Sequence, residues 1–565
     1  MAKFSAILGL FLLALLLRAT GADYGYFHGD ERINEAAKVL TGQLVPGQFF
    51  YPPFINYLNA VALAGLFPVG MVAGWWDSPG SFRAQYFDDP TVFYVTARYV
   101  TALCGAALAP LFYAIARTLR LPQPAALALG LLGALFPLGV FLGHIAKGDT
   151  ALATCTVAVF FALLKRLDAD TPRRWDIATG LMVMLALSFK QSAIFILGPL
   201  GLAYLILIAR SEGLGRGLRS LGLALLVVVI LWPLLNIGLM MDLRGFLDYQ
   251  NIQAVMSVQA EDALRRGLET FSQRTIELVF GLNPIMALTA VLTPLLILLP
   301  QNRLPYKPAL LAIWSSLTIA TLIVCALTGA RQPEHLWVAN YAGYLLLGGL
   351  ALAGLMRCPD RAIAMTATLT LCAGLILTAW GAVQPVRQAL ATPIIDQTDD
   401  FIRTRLSDRK ILTSMTTHLP QAPAAWDIEQ ARMERLADKY NVALPERAAE
   451  RQHLRDQAGE IFYVNMPGVM YGLENVDEDD VTYKVQAHAW PLQKEEWHLP
   501  YWRNQGYDII ITRDLSFFLN DSPSDLQRNF YADLTRTCRN IAHFDPVKPL
   551  YLEQAVDIFD CVRQP

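Results

Sequence analysis

Long apolar runs, separated by short loops rich in lysine and arginine, constrain this chain more than any other feature. A hydrocarbon core roughly 30 Å thick takes about 20 helical residues to cross. Apolar segments occur at 4–22, 54–74, 92–118, 124–143, 150–166, 175–189, 192–209, 219–241, 275–299, 308–328, 335–356 and 361–381. Only 17% of the residues are charged, against about 25% in a soluble globular protein. The chain therefore reads as a mainly α, polytopic membrane protein. A formal charge of −2 and the lack of a basic face argue against nucleic acid as a partner.

Basic loops stay on the cytoplasmic side. They hold Arg117/Arg120, Lys165/Arg166/Arg173/Arg174, Arg210/Arg216/Arg219, Arg303/Lys307 and Arg357/Arg361. Placing all of them inside pairs the apolar segments into outward and inward crossings. Parity then requires that 54–74, which opens at Pro52-Pro53, be an interfacial or partly re-entrant helix on the outer side. That leaves about eleven spans, each long enough or nearly so, with the two termini on opposite sides. The N-terminal stretch resembles a signal peptide, but it reads better as an uncleaved first span. No internal repeat is evident, which disfavours a transporter built from repeated halves.

The composition changes after residue 384, so 1–384 is expected to form the membrane domain and 385–565 a soluble, extracytoplasmic α/β domain. "RKILTSM", "EIFYVNM" and "YDIIITR" read as strands, and "IEQARMERLADKY" and "LQRNFYADLTRTC" as helices. The acidic loop 475–481 lacks calcium-loop spacing and reads as solvated. Cys538 and Cys561 lie in this region and can pair if it lies outside the cytoplasm.

The topology gathers distant charged residues on the outer face. They are His28, Asp30, Glu31 and Glu35; then His144, Lys147 and Asp149; then Lys190; then Arg331, Glu334 and His335. Ionisable groups near the membrane are costly and often functional. The plainer reading is that charges at helix ends snorkel to the headgroups. That reading is preferred for Lys147 and Glu334, and a functional one for Asp30 and Asp149. Phe49, Phe50, Tyr51, Trp75 and Trp76 fit an interfacial aromatic belt better than a sugar-stacking platform.

The local context of those acids carries a resemblance. "YFHGDERINEAAKVLTGQLVPGQFFYPPFINYL" resembles the first external loop of GT-C membrane glycosyltransferases, with its Asp-Glu pair, amphipathic helix and Tyr-Pro-Pro opening a second helix. The nearest branch contains the dolichyl-phosphate-mannose–protein mannosyltransferases and the lipid A aminoarabinose transferase. "GHIAKGDTALATCTVAVFFALL" is similar to that family's second acidic motif, "ALSFKQSAIFILGPL" to its lysine-led segment, and "RQPEHLWVANYAGYLLLGGLAL" to its late span. The resemblance covers residues 1–380, and more loosely the C-terminal domain. Gly29 stands where related loops often have proline, and no extra β-trefoil domain is recognisable, which argues against protein O-mannosylation.

The resemblance implies transfer of a hexosyl or pentosyl group from a polyprenyl-phosphate donor to a lipid, glycan or protein acceptor at the extracytoplasmic face. Asp30 is then the expected base, with Glu31 positioning the acceptor or exchanging roles with it. Lys190 and Arg331, and less strongly His335, would stabilise the leaving phosphate. Asp149 would bind a divalent cation (Mg²⁺ or Mn²⁺), orient Lys147 or His144, or hold sugar hydroxyls. A single displacement inverts the anomeric centre; a double displacement, the alternative, requires a second carboxylate as nucleophile. Short loops and the lack of an organellar signal suit a bacterial inner membrane. The rivals are a transporter or lipid flippase of envelope precursors, and a non-catalytic assembly factor.

Overall fold

The computed structural model describes residues 2–24, 30–47, 49–169, 171–257, 263–328, 334–407, 409–413, 434, 461–463, 497–520, 525–545 and 555–562. The chain divides into two compact units. One comprises Met1–Asp23, Phe27–Pro79 and Pro90–Leu390; the other comprises Tyr24–Tyr26, Gly80–Asp89 and Ala391–Pro565. The helix Arg361–Ala389 thus runs through Pro385, beyond residue 384.

Among the described residues, the regular elements of the first unit are all helices. Among the described residues, eight helices are long and apolar enough to cross a membrane, or up to nine if the bent pair Gln123–Ala134 and Pro137–Gly143 is one span. Two shorter apolar helices, Phe4–Ala19 and Pro284–Leu298, accompany them. Expected spans are broken in several places, each with a local cause. Segment 124–143 bends by 46° between its two helices, where Pro137 opens the second. Proline at the first helical turn has no N–H to lose, but it cannot continue the preceding helix. Segment 275–299 divides at Asn283, which adopts φ 73° and caps the next helix by accepting from Met286 N. Segment 219–241 divides at Asn236, where helix Leu214–Leu235 ends. Helix Phe54–Ala73 is continuous and qualifies as a crossing by length and composition.

Helix Val338–Leu355 forms the centre of this unit, and every one of its residues is buried. Its neighbours include helices Asp149–Asp168, Pro284–Leu298 and Gln123–Ala134. Helix Leu214–Leu235 lies at the other extreme, with only Gly217, Ser220 and Ala224 buried. Its outer face exposes Leu218, Leu225, Leu226, Val229, Ile230 and Leu234, as suits a surface bathed in lipid rather than water.

The second unit holds a five-stranded mixed sheet in the order β2-β1-β3-β5-β4. The strands are β1 (Ile411–Thr413), β2 (Ile461–Tyr463), β3 (Ile509–Arg513), β4 (Arg539–Phe544) and β5 (Val556–Asp560). β1 pairs in parallel with β2 and β3, while β5 is antiparallel to β3 and β4. Alternation along β3 sends side chains to opposite faces. Ile509 and Ile511 join Ile394, Ile402 and Ile558 in one core. Ile510 joins Trp502, Phe530, Leu534 and Phe559 in the other. The result is an α/β layered unit, with helix Ile394–Arg405 on one face and helix Asp525–Thr537 on the other. Cys538 and Cys561 are bonded to each other, which ties the end of helix Asp525–Thr537 to the end of β5. The expected helix at 428–440, apart from residue 434, and the loop 475–481 lie outside the described residues.

Candidate active site

Three stretches of the first unit converge on one cleft. The first is the segment before helix Ile33–Leu40. Here the adjacent carboxylates of Asp30 and Glu31 have different surroundings. Glu31 is buried and receives both arms of a guanidinium: Arg98 Nε donates to Oε1 and Nη2 to Oε2, each at 2.7 Å. Ala146 N also donates to Oε1, at 2.8 Å. Arg98 Nη1 donates to Ala22 O at 2.8 Å. A buried ion pair survives only when its remaining valences are met in this way. Glu31 therefore joins helix Thr91–Ala106 to two loops and fixes where Asp30 lies. The Asp30 side chain is 35% exposed, and its Oδ2 accepts from Lys147 Nζ at 2.7 Å.

The second stretch is the turn from Pro137–Gly143 into helix Asp149–Asp168. Its approach is held by Arg18, a fully buried residue. Arg18 Nη1 donates to Ala134 O at 2.9 Å and Nη2 to Gly133 O at 3.3 Å. Carbonyls at the end of a helix lack intrahelical donors, so the guanidinium caps Gln123–Ala134 where the bend begins. His144 is also fully buried, with Nδ1 2.9 Å from Val140 O and Nε2 2.9 Å from Thr20 O. Lys147, Gly148 and Asp149 follow, and Asp149 opens its helix.

The third stretch is the junction at Lys190. Helix Pro172–Phe189 ends there, Lys190 is extended (φ −159°, ψ 128°), and a short 3₁₀ turn, Gln191–Ala193, follows. Gly148 allows the two turns to meet, because a Cβ at that position would lie 3.0 Å from Phe189 O. Lys190 Nζ consequently reaches Asp149 Oδ1 at 2.5 Å, and Lys147 Nζ lies 3.8 Å from Asp149 Oδ2. Asp30, Lys147, Asp149 and Lys190 thus form an alternating chain of charge.

A cleft open to solvent is lined by these four residues together with Arg32, Tyr51 and Asn56. The Tyr51 ring faces three cations, with its centroid 5.4 Å from Lys190 Nζ, 5.7 Å from Arg32 Cζ and 6.0 Å from Lys147 Nζ. His335 is buried in the 3₁₀ turn Glu334–Leu336. Burial, reinforced by the Lys190 ammonium, pushes its pKa down to about 3. The neutral imidazole is therefore favoured, and it offers hydrogen bonds rather than a positive charge.

The structure brings Asp30, Asp149 and Lys190 together at the cleft. Lys147, read from sequence as a snorkelling charge, is the link between the two aspartates. Glu31 sits behind the cleft with its carboxylate in the ion pair. Both ring nitrogens of His144 face backbone carbonyls rather than the cleft. Arg331 lies outside the described residues. The expected cation at Asp149 fits poorly, since the carboxylate already contacts two ammonium groups. No cluster of three or more His, Cys, Asp or Glu suited to a metal occurs among the described residues. Sequence reasoning missed Arg98, Arg32 and Asn56. Arg98 carried a signal, as an arginine inside the apolar run 92–118.

A second charged cluster occupies the far end of helix Asp149–Asp168. Arg166 pairs with Asp176 at 2.8 Å and Glu212 at 2.6 Å, and Ser220 Oγ donates to Asp176 at 3.1 Å. At 1.5 Å per residue, about 25 Å of helix separates this cluster from Asp149.

Residues 94–236 match the profile of the family described as "Dolichyl-phosphate-mannose-protein mannosyltransferase". No significant sequence match was found among curated proteins. Among solved structures, ArnT from Cupriavidus metallidurans bound to undecaprenyl phosphate aligns over 98% of this chain and 98% of its own, at 16% identity and TM-score 0.48. The oligosaccharyltransferase AglB from Archaeoglobus fulgidus, in complex with an inhibitory peptide and a dolichol-phosphate, aligns over 92% of this chain and 70% of its own, at 12% identity and TM-score 0.46. The S. cerevisiae Pmt1-Pmt2 complex bound to the sugar donor aligns over 44% of this chain and 34% of its own, at 15% identity and TM-score 0.33. At these scores the structural likenesses stand as likenesses, and the family match is a match of sequence. Over residues 94–236 the chain is similar to the dolichyl-phosphate-mannose-protein mannosyltransferases, and that segment carries Arg98, Lys147, Asp149 and Lys190.

Proposed function

We propose that this protein transfers a sugar from a polyprenyl-phosphate donor to an acceptor nucleophile at the cleft, with inversion at the anomeric carbon. The observation that carries the reading is the alternating chain Asp30–Lys147–Asp149–Lys190 around a single cleft at one end of the membrane helices. The acceptor oxygen attacks the anomeric carbon, and Asp30 takes its proton. The bond from the anomeric carbon to the phosphate oxygen breaks, and the electron pair leaves with the polyprenyl phosphate. That group gains one negative charge, which Lys190 and Lys147 are placed to offset. Asp149 holds both ammonium groups in position, and on this reading needs no metal to do so. Neutral His335 contributes hydrogen bonds to the sugar or phosphate.

The cleft lies on the extracytoplasmic face of a bacterial inner membrane in this account. The basic loops, with the Arg166 cluster at the far end of helix Asp149–Asp168, support a cytoplasmic placement for the opposite end. The bond between Cys538 and Cys561 supports an oxidising compartment for the C-terminal unit. The acceptor is a lipid, glycan or protein carrying the nucleophile.

The test uses purified protein in lipid vesicles with a polyprenyl-phosphate sugar labelled in the sugar. Transfer of label to an acceptor, or slow release of free sugar, is expected. Movement of intact donor between leaflets without cleavage would contradict the reading and indicate a flippase.

A further inference from the structure

Five charged side chains line the cleft, and four of them pair off: Asp30 with Lys147, and Asp149 with Lys190. The fifth is Arg32. Among the described residues, its guanidinium makes neither an ion pair nor a side-chain hydrogen bond. It lies over two aromatic rings instead, 5.4 Å from the Phe50 centroid and 5.7 Å from that of Tyr51. Stacking of this kind fixes the plane of a guanidinium while leaving its N–H edge available. Arg32 is half-buried, so its charge is only partly screened by water. The cleft therefore holds one positive charge in excess of its own acids, on a side chain whose fork of donors suits two oxygens of one phosphate.

We propose that Arg32 is an anion-binding residue of the cleft that takes a phosphate ester group. The inference rests on the proposed function for the identity of that group, the phosphate of the lipid-linked donor. It assigns the ground-state grip on phosphate to Arg32, leaving Lys190 and Lys147 to meet the charge that develops as the bond breaks. Lysine at position 32 would keep the charge but lose the two-pronged geometry and much of the stacking.

The experiment compares binding of polyprenyl phosphate and of phosphate-free polyprenol to the full-length protein in lipid, for the parent, Arg32→Gln and Arg32→Lys, with inorganic phosphate as competitor. The parent is expected to prefer the phosphorylated lipid, and Arg32→Gln to lose about tenfold to a hundredfold of that preference. Arg32→Lys should recover part of it. Competition by inorganic phosphate that disappears in Arg32→Gln would mean that the phosphate group alone is recognised; no competition, with the lipid preference still lost, would mean that phosphate is read only on its lipid. Both outcomes support the assignment. An unchanged preference in Arg32→Gln would overturn it. So would an equal loss for both lipids, which marks a structural role. Because binding is read without turnover, a parent that binds in this way but transfers no sugar would refute the proposed function and leave the Arg32 assignment standing.

Discussion

Asp30 and Glu31 are neighbours of the same charge, yet the fold gives them different work. Glu31 is enclosed with Arg98, and removing one partner of such a pair leaves an uncompensated buried charge or donor. Glu31→Ala is expected to cost about 3–5 kcal/mol, visible as a lower melting temperature in detergent, with loss of activity following from misfolding. A melting temperature equal to the parent's would contradict the structural role. Sequence alone singled out both acids, because charged residues beside apolar runs are conspicuous. It had no means of telling which carboxylate turns inward, since that depends on Arg98, 67 residues away. Lys147 was undervalued for the same reason: its partner Asp30 lies 117 residues earlier. Asp149 and Lys190 were legible as functional candidates, but not as each other's counter-ion.

Among the elements, the turn before helix Asp149–Asp168 is the critical joint. Gly148→Ala would press a methyl group against the Phe189 carbonyl, which is backbone and has little room to yield. Because Asp149 and Lys190 lie on the two sides of that contact, turnover is expected to fall about tenfold or more through misplacement, with the protein still folded. Normal kcat in a folded Gly148→Ala protein would contradict this. The helix boundaries show where hydropathy fails as a guide. The apolar runs 275–299 and 219–241 look continuous by composition, but Asn283 and Asn236 interrupt them. Helix Phe54–Ala73 looks like a crossing by length. It starts at the cleft, with Asn56 in the lining, and the chain is back at Glu31 by Arg98.

At the scale of the whole molecule, the chain keeps two charge clusters apart on opposite ends of one helix, and only the end with the cleft carries the aspartate–lysine chain. If that end faces outward together with the C-terminal unit, a reporter fused after residue 390 should read as extracytoplasmic. Cys538 and Cys561 should then resist alkylation in intact cells until a reductant is added. A cytoplasmic signal would reverse the orientation. The α/β character of the second unit was readable from the succession of strand-like and helix-like segments, among them "YDIIITR", whose isoleucines feed both faces of the sheet. β4 and β5 were not anticipated, because "RNIAHF" and "VDIFD" are short and mix polar with apolar residues. The central claim, that the cleft performs acid–base chemistry on a lipid-linked sugar with Asp30 as the base, is tested most directly by Asp30→Asn. Single-turnover transfer from a labelled polyprenyl-phosphate sugar is measured alongside donor binding. The account predicts that kcat falls by about 10²–10⁴ while donor affinity stays within a few-fold; equal turnover by mutant and parent would contradict it.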